Sequence, residues 1–352
     1  MNNILPFPRS RQASRMQGAV APRSGAVQAY QGPTYYQQPA VKPSGYGWLV
    51  WTYTYVAGLA GGAQIIATIA DLVGRPRLAS VVRSGRYLAG GGAVAGPALL
   101  IADLHTPQRF MNMLRIFRRT SPMSIGTYIL SGFSLSSGLA AIGQFFAGPR
   151  RAWARRVAKA AEIPAALTGA GMTTYTGALL SSTSTPLWAA QPRLLSARFA
   201  CSAMATAAAA LSLSERAWGD PRNSASLDQL AIVATLAGAA LSSAASADYQ
   251  RQGLDGALSD DSAAAQQHAL AGHIGHTLPL LCHGLAGLMP ARSRPLSVAA
   301  SLSILAGGLL MRSALFRAGN ESARRPRDYF QFTRPDYEAM LLPGSPAPGG
   351  RR

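Results

Sequence analysis

The sequence predicts an all-α membrane protein of eight transmembrane helices arranged as two four-helix bundles. Three observations predict it. Hydrophobic residues make up 48% of the chain and charged ones only 13%. The charges gather between apolar runs, whereas a soluble protein interleaves them at helical spacing. Several runs reach the ~20 residues a helix needs to cross a ~30 Å hydrocarbon layer. Residues 1–45 read as a basic, polar tail, expected to be disordered because its Pro, Gln, Gly and Arg bury little apolar surface. That tail lacks the apolar centre of a secretory signal. The first bundle is expected over 46–182, the second over 183–316, and a Pro- and Arg-rich extramembrane tail over 317–352.

The elements follow in order. Helix one, about 47–70, opens with Trp48, Trp51, Tyr53 and Tyr55, residues that suit a membrane–water boundary. Its Gly58 and Gly62 form a small-residue face for close helix contact, and Gly92 and Gly96 repeat that spacing in helix two, about 87–104. Helix three, about 122–146, starts at Pro122, a favoured first-turn residue. Helix four is expected over about 162–180. Helix five, about 187–213, carries Arg193 and Arg198, which are expected to snorkel to the interface. Helices six, seven and eight are expected over about 225–247, 267–289 and 296–315.

The net charge of +19 would suit a nucleic-acid partner. The arginines instead sit in short loops beside apolar runs, as orientation signals do, so no nucleic-acid binding is expected. Arg75, Arg77, Arg83 and Arg86 after helix one, with Arg150, Arg151, Arg155, Arg156 and Lys159 after helix three, outnumber Arg109, Arg115, Arg118 and Arg119 between helices two and three. Loops one–two and three–four are therefore expected in the cytoplasm. Both termini and the loop after helix two then face the periplasm, in a bacterial inner membrane.

That loop reads Ala102-Asp103-Leu104-His105-Thr106-Pro107-Gln108-Arg109-Phe110-Met111-Asn112-Met113-Leu114-Arg115, followed by Thr120-Ser121-Pro122-Met123-Ser124. It resembles the loop after the second membrane helix in the polysulphide-reductase-type membrane subunits, the NrfD/PsrC family, departing from it at His105, Thr106 and Gln108. The likeness runs from Trp48 to about Leu213. It takes in Gly58-Leu59-Ala60-Gly61-Gly62, Tyr175-Thr176-Gly177 and Thr185-Pro186-Leu187-Trp188. The resemblance implies an eight-helix subunit without a bound metal or haem, whose substrate is menaquinone or ubiquinone. It also implies an iron–sulphur, ferredoxin-like electron-transfer partner and a molybdenum or multihaem catalytic subunit.

The residues themselves allow quinone chemistry at the expected periplasmic edge of helices one to four. A quinone needs a flat apolar slot, donors at its carbonyls and a base for the protons released when quinol is oxidised. Trp51 and Tyr55 can wall a slot. Asp103 or His105 can act as the base once partly buried, and Tyr128 and Tyr175 can donate. Each has a plainer role open to it. Asp103 can pair with Arg109 and tie the loop down, His105 can be solvated, and the aromatics can anchor the helices at the interface. Arg109, Asn112 and Arg115 are candidates for the face that docks a soluble partner.

Helix seven carries His268, His273, His276 and His283, of which the last three are expected on one face. A haem would need ligands on both porphyrin faces, which one helix cannot supply. A proton path and plain packing stay open for them, and Asp71, Glu162 and Asp228 are expected at helix boundaries. Cys201 and Cys282 lie in apolar runs with no metal-type spacing. The leading reading is a quinol-interacting subunit of a respiratory oxidoreductase. The alternatives are a pure membrane anchor without its own quinone site, or a small-solute transporter, although no inverted repeat is evident.

Overall fold

The helices approach closely where small residues recur every three or four positions. The computed structural model describes Pro39 and residues 41–104, 106–148, 151–259 and 262–333. Among the described residues there is no β-strand. We number the long helices α1 to α8. They are α1 Trp48–Val73, α2 Ala79–Asp103, α3 Pro122–Phe146, α4 Ala152–Ser181, α5 Pro192–Trp218, α6 Pro221–Arg251, α7 and α8 Ser293–Arg324. The seventh, α7, comprises Ala263–Gly272, a π-helical turn His273–Thr277, and Leu278–Leu288. Five helical runs, holding α1, α3, α5, α6 and α8, are long and apolar enough to cross a membrane; α2 taken with the segment Pro107–Arg115 beyond it makes a sixth. The 26 residues of α1 rise roughly 39 Å at ~1.5 Å each, enough for the ~30 Å hydrocarbon layer. Leu135, Phe145 and Leu167 leave their side chains exposed on the outside of the helix bundle, which suits a lipid environment rather than water.

Local chemistry sets the ends. Ser121 caps α3 by accepting from the Ser124 N–H at 3.3 Å, with Pro122 in the first turn. Asp220 and Ser262 cap α6 and α7 in the same way. Gly74 closes α1 in the left-handed conformation, at φ 67°, and returns its N–H to Ala70.

Several helices are longer than their hydropathy suggested. The residues expected in the basic loops are largely helical: Arg83 and Arg86 lie in α2, and Arg155, Arg156 and Lys159 in α4. The reason is a hidden small-residue stripe. Ala154, Ala158, Ala161 and Ala165 are buried at helical spacing while Arg155, Arg156 and Lys159 face out. A window that averages charge reads such a turn as loop. Arg198 corrects another expectation. Arg193 is exposed, but Arg198 is buried inside the protein and donates through Nε to Ser242 Oγ at 3.2 Å. Helix α8 also runs on past Arg317, and a further short helix spans Pro326–Thr333.

The helix α1 holds the assembly together. It packs against α2 and α4 on one side and α5 and α8 on the other. Its glycines make this possible. A Cβ on Gly61 would meet the Gly169 carbonyl oxygen of α4 at 2.6 Å, and one on Gly62 would meet the Ala203 oxygen of α5 at 2.9 Å. Gly92 of α2 sits against Ala60 in the same manner.

Candidate functional site

Where the ends of α1, α2, α3 and α4 meet, they enclose a cavity of about 150 Å³. The face of α1 that lines it follows from helical spacing. Val50, Tyr53 and Thr54 lie three and four residues apart, and Tyr46 precedes them by one further turn. From α2 come Leu100 and Asp103, from α3 Met123, Thr127 and Leu130, and from α4 Tyr175, Thr176 and Leu180. Phe316 of α8 completes the wall.

Tyr175 reaches this space because residue 126 is glycine. A Cβ there would overlap the Tyr175 ring, so the phenol lies flush on the α3 backbone. Tyr46 is held by an edge-on contact with Phe316, ring centres 5.7 Å apart, and by Trp188 at 6.3 Å. Trp188 is fully buried and donates from Nε1 to the Leu315 carbonyl at 3.0 Å. Burial pushes the Tyr46 phenol above its ordinary value, so it keeps its proton and can donate. Asp103 is the last residue of α2 and only partly exposed. Among the described residues its carboxylate makes no ion pair, with Arg109 or any other cation, and no side-chain hydrogen bond.

The structure therefore brings Asp103 and Tyr175 together. It places the other sequence candidates elsewhere. Tyr128 lies on the outer side of α3, where its hydroxyl donates to the Leu114 carbonyl at 2.8 Å and its ring meets Phe117 edge-on. It pins the α2–α3 connection. Trp51 packs against the apolar cluster of Val50, Leu195 and Phe316. Tyr55 faces away from the cavity, with the Arg312 guanidinium 5.7 Å from its ring centre. His105 lies outside the described residues. Arg109, Asn112 and Arg115 are exposed on two short helical turns, Pro107–Arg109 and Asn112–Arg115. The sequence reading missed Tyr46, Tyr53, Thr127, Thr176 and Phe316. The period of α1 could have found Tyr53, but no local signal marks Phe316.

Two further polar features lie inside. Arg312 of α8 is wholly buried, without a carboxylate partner among the described residues. It donates to the Thr54 carbonyl at 3.3 Å, Ser202 Oγ at 2.8 Å and the Gly308 carbonyl at 3.2 Å, and sits over the Phe199 ring. It thereby ties α1, α5 and α8 together. At the other end of α1, Arg86 of α2 donates to Glu162 at 2.7 Å, Asp71 at 3.0 Å and Gln144 at 2.8 Å. Lys159 joins the same two acids, Asp71 at 2.9 Å and Glu162 at 2.7 Å. Glu162 is thus no boundary residue: it is buried within α4. Asp228 likewise accepts from Ser212 at 2.5 Å and pairs with Arg216.

The α7 histidine His273 does not share a face with His276. The π turn carries an extra residue per hydrogen-bonded ring, so His273 faces out while His276 turns inward beside Arg198. Among the described residues no three His, Cys, Asp or Glu side chains converge on a common point.

A sequence model of the family described as polysulphide reductase, NrfD, matches residues 40–321. No curated protein matches the chain.

Proposed function

This chain belongs to the polysulphide reductase NrfD family, is a multi-pass membrane protein, and on that ground we propose that it is the quinol-interacting membrane subunit of a respiratory reductase complex. The observation that supports this most is the cavity between α1, α2, α3 and α4, where a carboxylate without an ion-pair partner among the described residues and three tyrosines meet apolar walls. Its size suits an aromatic head group: a dry protein cavity of ~150 Å³ takes a benzene ring. The substituents and isoprenoid tail would extend to the mouth.

In this reading all eight long helices cross the bilayer. The Asp103 end faces the periplasm of a bacterial inner membrane, on the charge asymmetry of the loops. Menaquinol or ubiquinol enters as substrate. Tyr175, Tyr53 or Tyr46 donates to a quinol hydroxyl oxygen, which becomes the quinone carbonyl on oxidation, and so orients the ring. Oxidation of the quinol to quinone releases two protons and two electrons. Asp103, at the rim, takes the protons in turn and passes them to water on its own side. The electrons leave for an iron–sulphur partner of ferredoxin type and then for a molybdenum or multihaem subunit. The exposed turns with Arg109, Asn112 and Arg115 are the surface offered to that partner.

The test is binding of a fluorescent quinone-site inhibitor to the purified membrane complex. Tyr175→Phe removes one hydrogen-bond donor and is expected to weaken binding about tenfold, in line with ~1.4 kcal/mol for a buried hydrogen bond. Asp103→Asn is expected to bind the inhibitor but to slow quinol oxidation by ~10²-fold or more, as loss of a positioned base does. Unchanged binding and turnover in both variants would reduce the protein to an anchor.

A further inference from the structure

At the opposite end from the Asp103 cavity, α2, α5 and α8 splay apart and leave an open groove of about 790 Å³. This is within the range of ligand pockets, ~300–1,000 Å³. Its floor is apolar, built by Leu88, Leu211 and Val298. Its rim is cationic: one arginine comes from each helix, Arg83, Arg216 and Arg294. Arg216 is already paired with Asp228. Arg83 and Arg294 are exposed, and among the described residues neither has an acidic partner. On the same lining, Ser214 donates to Ser84 Oγ at 3.0 Å across α5 and α2, and among the described residues the Ser84 hydroxyl donates to no side chain. Tyr87 and Trp218 stand exposed on the same rim, Trp218 with 84% of its surface bare. Aromatics of this kind settle at the level of lipid head groups.

We propose that this groove binds an anionic phospholipid, its phosphate held between Arg83 and Arg294 and its acyl chains laid along Leu88, Leu211 and Val298. The combination singles out a lipid. Free phosphate would satisfy the arginines but leave the apolar floor wet, while a zwitterionic lipid would fill the floor and bring its own choline cation among the arginines. Basic pockets between membrane helices at the cytoplasmic face take such head groups for the same reason. The bound lipid would brace α2 against α8, which the splayed ends do not do directly. This inference needs only that the helices cross a membrane and does not rest on the quinone reading.

Native mass spectrometry of the full-length protein, with whatever subunits purify with it, tests the idea. The probes are phosphatidylglycerol, cardiolipin and phosphatidylcholine of matched chains. The anionic lipids are expected to be retained in preference to phosphatidylcholine. Arg83→Gln and Arg294→Gln are each expected to weaken that retention about fivefold, the effect of one basic residue near an anionic head group. The double variant should lose more than either single one while quinone-site inhibitor binding stays unchanged. Both arginines are exposed, so the variants should fold. Equal retention of phosphatidylcholine would overturn the proposal, as would unchanged phosphatidylglycerol binding in the double variant or full competition by inorganic phosphate.

Discussion

Arg86→Leu is expected to cost the folded state about 3–5 kcal/mol, the usual penalty for stripping the partner from a buried charge. The structure accounts for that size. Glu162 is buried, and Arg86 donates to it at 2.7 Å. Removing the guanidinium leaves the carboxylate with Lys159 alone, whose own side chain is half exposed and already shared with Asp71. Gln144 and Asp71 also lose a donor. The partner change separates a charge effect from a packing effect. In Arg86→Leu/Glu162→Leu both buried ions are gone and the Asp71–Lys159 pair at 2.9 Å survives. Replacing both ions of a buried pair with apolar groups is often neutral, so the double variant should return to within roughly 1–2 kcal/mol of the parent. Equilibrium unfolding in mixed micelles, followed by tryptophan fluorescence, reads both numbers. A cost below about 1 kcal/mol for Arg86→Leu, or a double variant no more stable than the single one, would refute a buried-charge role for the Arg86–Glu162 pair.

Two other outcomes follow from the cavity and its neighbours. Gly126→Ala puts a methyl group where the Tyr175 ring lies, so the phenol must leave the α3 backbone. Inhibitor affinity should fall by about tenfold or more with an overpacking cost of ~1–3 kcal/mol, and unchanged affinity would show that Tyr175 does not need this position. Tyr128→Phe removes the bond to Leu114 but touches nothing in the cavity. Amide exchange across residues 112–116 should quicken while inhibitor affinity stays within about twofold, since one hydrogen bond of ~1 kcal/mol ties that segment. A large loss of affinity would return Tyr128 to the binding site.

Asp103 and Tyr175 show how much of the site was legible. Asp103 stands out because it ends an apolar run and opens a patterned loop. Tyr175 stands out because an isolated phenol near a helix end suggests a donor. The aromatics of α1 were harder. Trp51, Tyr53 and Tyr55 are equally apolar and close in sequence, yet the 100° step of the helix sends only Tyr53 into the cavity. Arg86 and Arg198 were misread as loop and interface residues for one shared reason. A hydropathy window sees their charge but not the Glu162 and Ser242 that receive them, which lie 76 and 44 positions away.

What the sequence determined by itself was the all-helical membrane character, the family and the rough course of most long helices. Those properties depend on local composition and on the hydrocarbon thickness, both written along one dimension. Tertiary structure alone decided which faces meet: α1 between the two halves of the chain, Phe316 beside Tyr46, and three arginines around one groove. The physical reason is that lipid rewards any apolar surface alike. Helix pairing here rests on small residues and buried polar bonds, whose partners are set by shape rather than by spacing along the chain.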